Sequence, residues 1–87
     1  MRYSIRFRPG ARRALKRVPR WLLGRIDAAI LSLAETPRPP GCKKLAGRKD
    51  LYRIRVGDFR VVYEVRDEVL VVMVVRIGPR GSVYSSM

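Results

Sequence analysis

The alternation of apolar and polar residues predicts a strand at the start of the chain, followed by two helices. Residues 2–7 alternate, with Tyr3, Ile5 and Phe7 on the apolar side, as in a strand that is buried on one face. Apolar residues then recur at helical spacing over residues 9–18 and again over residues 20–35. Proline favours the first turn of a helix, and the prolines that follow residue 36 end the second helix. The inward stripe of the second helix is predicted to comprise Leu22, Ile26, Ala29, Ile30 and Leu33.

Residues 51–65 have the pattern of a β-hairpin. Two alternating runs flank Gly57-Asp58, and glycine at the first position suits a two-residue turn. This turn predicts that Arg55 lies directly opposite Arg60, with Arg53 on the same face of the sheet. Like charges that lie directly opposite each other destabilise a sheet, so these arginines indicate a face that binds an anion. The other face is predicted to be apolar and to comprise Tyr52, Ile54, Val56, Phe59, Val61, Tyr63 and Val65.

The remaining segments complete the predicted fold. Residues 69–75 are apolar without alternation, which predicts a central strand that is covered on both faces. Residues 36–50 are predicted to be a linker, and residues 76–84 a loop-like tail that displays Arg80 and Tyr84. We therefore predict a single α+β domain over residues 1–87. It has an N-terminal strand, a helical hairpin and a three-stranded antiparallel meander, which together form one mostly antiparallel sheet with the helices on one face.

The charge of the chain adds a prediction about its partner. Twenty Lys and Arg residues stand against 7 Asp and Glu, a net charge of +13, and only 4 of the cations are lysines. The planar guanidinium of arginine matches phosphate and stacks on bases, so nucleic acid is favoured over a basic surface that is merely solvated. The linker adds candidate RNA contacts beside the hairpin, namely Lys43, Lys44, Arg48 and Lys49.

Several kinds of site have no support in the sequence. Histidine, the commonest general acid–base group, is absent, and the carboxylates are not spaced to hold a metal. Cys42 is alone, so neither a disulfide nor a zinc site is expected, and no glycine-rich phosphate loop opens a helix. We expect no metal, no cofactor and no small-molecule ligand. We also expect a cytoplasmic protein without membrane contact, because neither a signal peptide nor a membrane-spanning stretch is found.

Electrostatic stabilisation is the chemistry that remains. Several arginines and a tyrosine around a phosphodiester would stabilise the added negative charge of a pentacoordinate transition state. RNA carries its own nucleophile, the 2′-hydroxyl, so cleavage needs no metal if that oxygen is held in line. Arginine stays protonated and cannot be an ordinary base. Either Tyr84, Tyr63 or a water molecule carries the proton, or cleavage relies on positioning.

Residues 44–47, 51–63 and 75–84 resemble the RelE/ParE superfamily of bacterial and archaeal toxins, and the N-terminal strand and helices fit the same family. The resemblance implies the toxin of a type II toxin–antitoxin pair, which enters the ribosomal A site and cuts mRNA without a metal. It implies that Arg60 stabilises charge on the scissile phosphate, and that Arg80 does the same or assists the leaving oxygen. It also implies that Tyr84 orients a nucleotide by stacking or hydrogen bonding. By motif position, the implied catalytic set is Arg53, Arg55, Arg60, Arg80 and Tyr84.

This chain departs from well-known members of the family, and two other functions stay open. Those members have lysines at the positions of Arg53 and Arg55, where arginine can hold phosphate but hardly accept a proton. ParE-type relatives share the scaffold and act on DNA gyrase, so a gyrase-inhibiting toxin is one alternative. A catalytically degenerate, basic nucleic-acid-binding module is the other.

The exposed apolar residues of the second helix raise the question of a protein partner. Trp21 and Leu31 lie off the inward stripe, so they either widen the packing against the first helix or form a surface for a partner. Either kind of toxin implies a cognate antitoxin, and the basic charge favours one with an acidic, amphipathic segment. Trp21 and Leu31 are the candidate contacts.

Overall fold

The computed structural model describes residues 2–47 and 49–79, which form two helices on one face of a five-stranded sheet. The strands are β1 (Ser4–Phe7), β2 (Lys43–Lys44), β3 (Leu51–Val56), β4 (Phe59–Arg66) and β5 (Val71–Pro79), and the helices are α1 (Pro9–Leu15) and α2 (Arg20–Ser32). The strand order is β1-β5-β4-β3-β2, with β1 parallel to β5 and every other pair antiparallel. The predicted α+β fold, with a helical hairpin and an antiparallel meander, is confirmed.

One hydrophobic core lies between the helices and the sheet. Leu22, Ile26 and Ile30 of α2 pack against the apolar face of the β3–β4 hairpin, on which Val61 and Tyr63 are fully buried. This face has the membership that the alternation predicts. The central position predicted for the last strand is also correct, because β5 lies between β1 and β4.

The hairpin has the predicted register. Val56 pairs with Phe59, and Arg55 pairs with Arg60, so the turn consists of Gly57 and Asp58 alone. Gly57 has a φ of 59°, and a positive φ at the first turn position only is the pattern of a type II′ turn. The glycine thereby fixes which side chains of β3 and β4 share a face.

Both helices end earlier than the sequence pattern predicts. α1 ends at Leu15 and α2 at Ser32, although the apolar spacing continues to residues 18 and 35. Beyond each end, backbone N–H groups donate to carbonyls three residues back, as from Val18 to Leu15 and from Glu35 to Ser32. A 3₁₀-type turn tightens the chain while it continues the inward stripe, which accounts for the difference. No helix within residues 2–47 and 49–79 is long and apolar enough to cross a membrane.

The sheet is larger than predicted on both sides of the hairpin. Lys43 and Lys44 lie in the predicted linker, but they form β2 and pair with Arg53 and Tyr52 on the outer edge of β3. An edge strand offers unpaired backbone groups, and the linker satisfies some of them. β5 begins at Val71 and continues to Pro79, so the prediction of a loop after residue 75 was wrong for residues 76–79.

The proline-rich segment after α2 is held against the sheet by a polar network. The Arg38 guanidinium donates to Asp67 at 2.8 and 3.3 Å and to the Tyr52 hydroxyl at 2.9 Å. The Tyr3 hydroxyl donates to the same carboxylate at 2.5 Å. The hydrogen bonds from Arg38 and Tyr3 lower the pKa of Asp67, and the one from Arg38 has the larger effect. This network fixes the chain just before β2, and with it the edge of the hairpin.

Candidate nucleic-acid interface

The face of the sheet that points away from the helices, which we call the open face, carries several arginines, and four of them lie close together on three adjacent strands. Residues paired directly across strands share a face, so the register defines which side chains lie there. Arg55 lies opposite Arg60 in one row, and the next row runs from Arg53 through Val62 to Arg76. We call Arg53, Arg55, Arg60 and Arg76 the arginine cluster. Cross-strand neighbours of this kind lie about 4.5–5.5 Å apart at Cβ, and diagonal ones about 7–8 Å.

Arg60 occupies the centre of the arginine cluster and is the only buried charged side chain within residues 2–47 and 49–79, at 5% exposure. Its Nε and Nη1 atoms are buried and have no hydrogen-bond partner in this part of the chain. A buried cation without a partner is costly, and native proteins rarely keep one unless it has a function. Arg60 is therefore a candidate for binding an anion, and its planar fork suits phosphate.

Acidic side chains do not neutralise the arginine cluster. The three salt bridges between described residues are Arg2–Glu35, Arg38–Asp67 and Arg66–Glu64, each at 2.8 Å. Glu64 is on the open face, but it lies opposite Leu51 and Met73, four residues along β4 from Arg60. At about 3.4 Å per residue, it is too far away to pair with Arg60. The positive potential of the cluster is thus available to an outside ligand.

The sequence-predicted RNA contacts in the 43–49 segment do not share one surface. Lys43 pairs with Arg53, so it extends the arginine row on the open face. Lys44 pairs with Tyr52 and therefore points to the side of the helices. Lys49 lies beside Asp50, Glu64 and Glu68, at the end of the hairpin that is distant from its turn. Of these three lysines, only Lys43 therefore lies on the same face as the arginine cluster.

Three other predicted site residues, Arg48, Arg80 and Tyr84, lie outside the described residues. Their roles stay predictions. Among the described catalytic candidates, Arg53 is half-buried and Arg55 is exposed, and the register places both beside Arg60 as predicted.

Sequence reasoning missed Arg76, which it assigned to the loop-like tail. In the structure Arg76 lies within β5 and opposite Val62 on the open face. The signal that was available is the change from continuous apolar residues to alternation at residues 76–78. That change spans only three residues. The pairing of β5 with β4 is what shows that Arg76 belongs to a strand.

The tyrosines of the hairpin are on the wrong face for proton transfer at the arginine cluster. Tyr63 is fully buried in the core, and its hydroxyl donates to the Pro37 carbonyl at 2.8 Å. Burial raises the pKa of Tyr63 well above its ordinary value, so the phenol stays protonated near neutral pH and cannot accept a proton. Tyr52 stacks on Tyr63 with ring centroids 6.0 Å apart, and its hydroxyl is held by Arg38. Tyr63 is therefore excluded as the proton acceptor that the sequence left open.

The outer side of α2 carries an apolar seam that is separate from the open face. Trp21 is 74% exposed and Leu31 is 61% exposed, so neither side chain widens the packing against α1. Gly24 and Ala28 lie between them and are also exposed. The spacing 21, 24, 28 and 31 is that of alternating a and d positions, which line the contact between two helices.

Comparison with known proteins identifies a match over almost the whole chain. A family model described as the ParE toxin of the type II toxin–antitoxin system parDE matches residues 5–84. The toxin RelG of Mycobacterium tuberculosis is 32% identical over 88 residues, covering 97% of this chain and 98% of RelG. The mRNA interferase toxin RelE of Escherichia coli K12 is 30% identical over 89 residues, covering 98% of this chain and 93% of RelE.

Solved structures agree with these sequence matches. The RelE–RelB complex from Pyrococcus horikoshii contains a chain with a TM-score of 0.82 and 31% identity, and the match covers 93% of this chain and 98% of that chain. The intact RelBE toxin–antitoxin complex of E. coli gives a TM-score of 0.79 at 28% identity and covers 88% of this chain and 95% of that chain.

Proposed function

The chain belongs to the RelE/ParE superfamily of toxins from type II toxin–antitoxin systems, and on that premise we propose that it is an endonuclease that cuts mRNA on the ribosome. The observation that carries the proposal is Arg60, a buried guanidinium whose Nε and Nη1 nitrogens have no hydrogen-bond partner among the described residues, at the centre of the arginine cluster. A relative that is named an mRNA interferase supports the choice of substrate. Translating ribosomes are the site of this activity, which places the protein in the cytoplasm.

In the proposed reaction the 2′-hydroxyl oxygen of the mRNA attacks the adjacent phosphorus, and the bond from phosphorus to the 5′-oxygen breaks. The products are a 2′,3′-cyclic phosphate and a 5′-hydroxyl end. Arg60 donates to the non-bridging oxygens, whose negative charge grows in the pentacoordinate transition state. Arg55, directly opposite on β3, and Arg53, on the diagonal, hold the same phosphodiester and fix the in-line geometry.

Proton transfer falls to groups other than the described tyrosines of the hairpin. The arginines stay protonated, and Tyr63 is buried on the other face of the sheet. The proton from the 2′-hydroxyl therefore goes to water or to the ionised form of Tyr84. Arg80 stabilises the negative charge on the leaving 5′-oxygen, and water supplies the proton that makes it a 5′-hydroxyl. Positioning and electrostatic stabilisation carry most of the rate enhancement in this mechanism.

Cleavage of a defined mRNA on purified ribosomes tests the proposal. Wild-type protein should cut an mRNA whose codon is in the A site and leave the same mRNA intact without ribosomes. Arg60→Ala should lose at least about a hundredfold in single-turnover rate, which is the usual effect of removing one donor to a developing oxyanion. Equal cutting by Arg60→Ala and wild type would overturn the assignment of the site.

A gyrase-inhibiting toxin is the second candidate, because the matching family model is named for ParE. The discriminating assay is DNA supercoiling by purified gyrase. Inhibition of gyrase, together with intact mRNA on ribosomes, would replace the first proposal with this one. Salt-sensitive RNA binding without either activity would instead indicate a degenerate, basic nucleic-acid-binding module.

We also propose that a cognate antitoxin binds along the apolar seam of α2. The solved structures of relatives include complexes between a toxin and its antitoxin. An amphipathic helix with an acidic polar side fits both the a and d spacing of the seam and the net charge of +13. Trp21 and Leu31 are the large side chains that such a helix would cover.

Alanine substitution tests the antitoxin contact. Trp21→Ala should weaken the complex with the neighbouring gene's antitoxin by at least about 30-fold, as expected when a central tryptophan anchor is removed. Leu31→Ala should have a smaller effect in the same direction. Val69→Ala is the matched control, because Val69 is as exposed as Leu31, at 60%, but lies in the turn before β5. Unchanged affinity in both α2 variants would show that the antitoxin binds elsewhere.

A further inference from the structure

A one-residue bulge in β5 determines which way Arg76 points. Val62 pairs with Arg76 and Tyr63 pairs with Val74, so Val75 has no partner in β4. Val72 and Val74 are fully buried in the core, and regular alternation would send residue 76 to the same side. The extra residue reverses the alternation. Arg76 consequently lies on the open face.

The bulge brings a fourth guanidinium into the arginine cluster. Arg76 lies across from Val62, and Val62 in turn lies across from Arg53. Because Arg60 and Val62 are two residues apart on β4, Arg76 is a diagonal neighbour of Arg60, at about 7–8 Å between Cβ atoms. Arg76 is half-buried and makes no hydrogen bond or salt bridge with the part of the chain that the structure describes. None of the described residues therefore compensates its charge.

The position of Arg76 is unfavourable for the fold alone. It adds like charge to a face that already holds Arg53, Arg55 and Arg60, and bulges leave backbone groups unpaired. Bulges often occur next to functional sites, where they re-aim a side chain. A ligand with more than one negative charge would offset the like-charge repulsion on this face.

The row that contains Arg76 is long enough for more than one phosphate. It runs from Lys43 on β2 through Arg53 and Val62 to Arg76 on β5, which is three strand spacings or about 14 Å. Neighbouring phosphates of a stacked strand are only about 3.4 Å apart along the axis. The row lies beside Arg60, so a phosphate at Arg60 and one at Arg76 can belong to the same RNA.

We propose that Arg76, turned outward by the Val75 bulge, binds a phosphate of the mRNA next to the one held by Arg60 and so sets the position of the strand. This inference rests on the proposed mRNA endonuclease activity. It makes Arg76 a substrate-binding residue, whose contact is the same in the ground state and in the transition state. Its loss should therefore weaken binding more than it slows the chemical step.

Single-turnover cleavage of ribosome-bound mRNA, measured over a range of toxin concentrations, tests the inference. Arg76→Ala should raise the concentration for half-maximal rate by about tenfold or more, as expected for one charge-assisted contact, with a maximum rate within about threefold of wild type. Arg76→Lys should restore most of the affinity, because a lysine keeps the charge. Arg13→Ala, which removes the same charge from the exposed side of α1, is the matched control.

A second measurement separates folding from binding. Thermal unfolding of Arg76→Ala should match that of wild type or exceed it, because like-charge repulsion is relieved. An Arg76→Ala variant that cuts with the same concentration dependence as Arg13→Ala would overturn the inference while the endonuclease activity stands. A wild-type protein that leaves ribosome-bound mRNA intact would overturn the proposed function and this inference together.

Discussion

Replacing Arg60 with methionine should stabilise the fold and abolish cleavage. Methionine keeps the unbranched stem of arginine and is apolar, so it suits a site that is 5% exposed. Wild type leaves the Arg60 Nε and Nη1 donors buried without a partner among the described residues. The substitution removes both unpaired donors and the charge beside Arg55.

The expected gain follows from the number of unpaired donors. Each unsatisfied buried donor costs about 1–3 kcal/mol, and replacing buried ionic groups with apolar residues stabilises proteins by about 1–4 kcal/mol. We therefore expect Arg60→Met to raise the free energy of unfolding by about 2–3 kcal/mol, or the melting temperature by about 10–20 °C in a domain of this size. Active sites commonly carry such a cost to stability.

Urea unfolding at low ionic strength and neutral pH is the assay. The midpoint should rise with an unchanged dependence on urea concentration, which excludes a change in compactness. Added phosphate should stabilise wild type by binding the native state and should have less effect on Arg60→Met. Arg13→Met, on the exposed side of α1, should stay within about 0.5 kcal/mol of wild type. A loss of 1 kcal/mol or more in Arg60→Met would refute the reasoning, because it would mean that the guanidinium stabilises the fold.

Three further predictions concern neighbouring residues. Tyr63→Phe should lower the free energy of unfolding by about 1 kcal/mol, from loss of a buried hydrogen bond, and leave the cleavage rate unchanged; a large loss of activity at wild-type stability would contradict the structural role. Asp67→Asn should lower the urea midpoint at neutral pH. The difference in midpoint between the variant and wild type should shrink as the pH falls below about 4, since a carboxylate with a lowered pKa stabilises the fold only while it is ionised. A difference in midpoint that is constant down to pH 2 would contradict this role of Asp67. Lys43→Ala should weaken RNA binding and reduce its salt dependence, whereas Lys44→Ala should not; equal effects would contradict the assignment of faces.

The sequence predicts the hairpin correctly because its signals are local. The alternation of residues 51–65 and a glycine that accepts a φ of 59° fix both the register and the faces. Arg55 and Arg60 could therefore be paired without a structure. The burial of Arg60 could not be predicted, since alternation assigns a face but not the exposure of a side chain on it.

Features that depend on pairing between distant segments were missed. The strand at Lys43 and Lys44 exists because the outer edge of β3 is close by, and neither residue has a high preference for strands. The Val75 bulge shows only in the register of β4 against β5, so the face of Arg76 could not be read from alternation. The link from Arg38 to Asp67 joins residues 29 positions apart, which no local pattern encodes.

The most direct test of the central claim is single-turnover cleavage of an A-site codon by wild-type protein, with either a ribose or a 2′-deoxyribose at the scissile position. If the 2′-hydroxyl is the nucleophile and Arg60 stabilises the charge that develops on the phosphate, the ribose mRNA is cut to a 2′,3′-cyclic phosphate and a 5′-hydroxyl end. The 2′-deoxy mRNA then binds equally well and stays intact. Cutting of both mRNAs at the same rate, or of neither, would contradict the account.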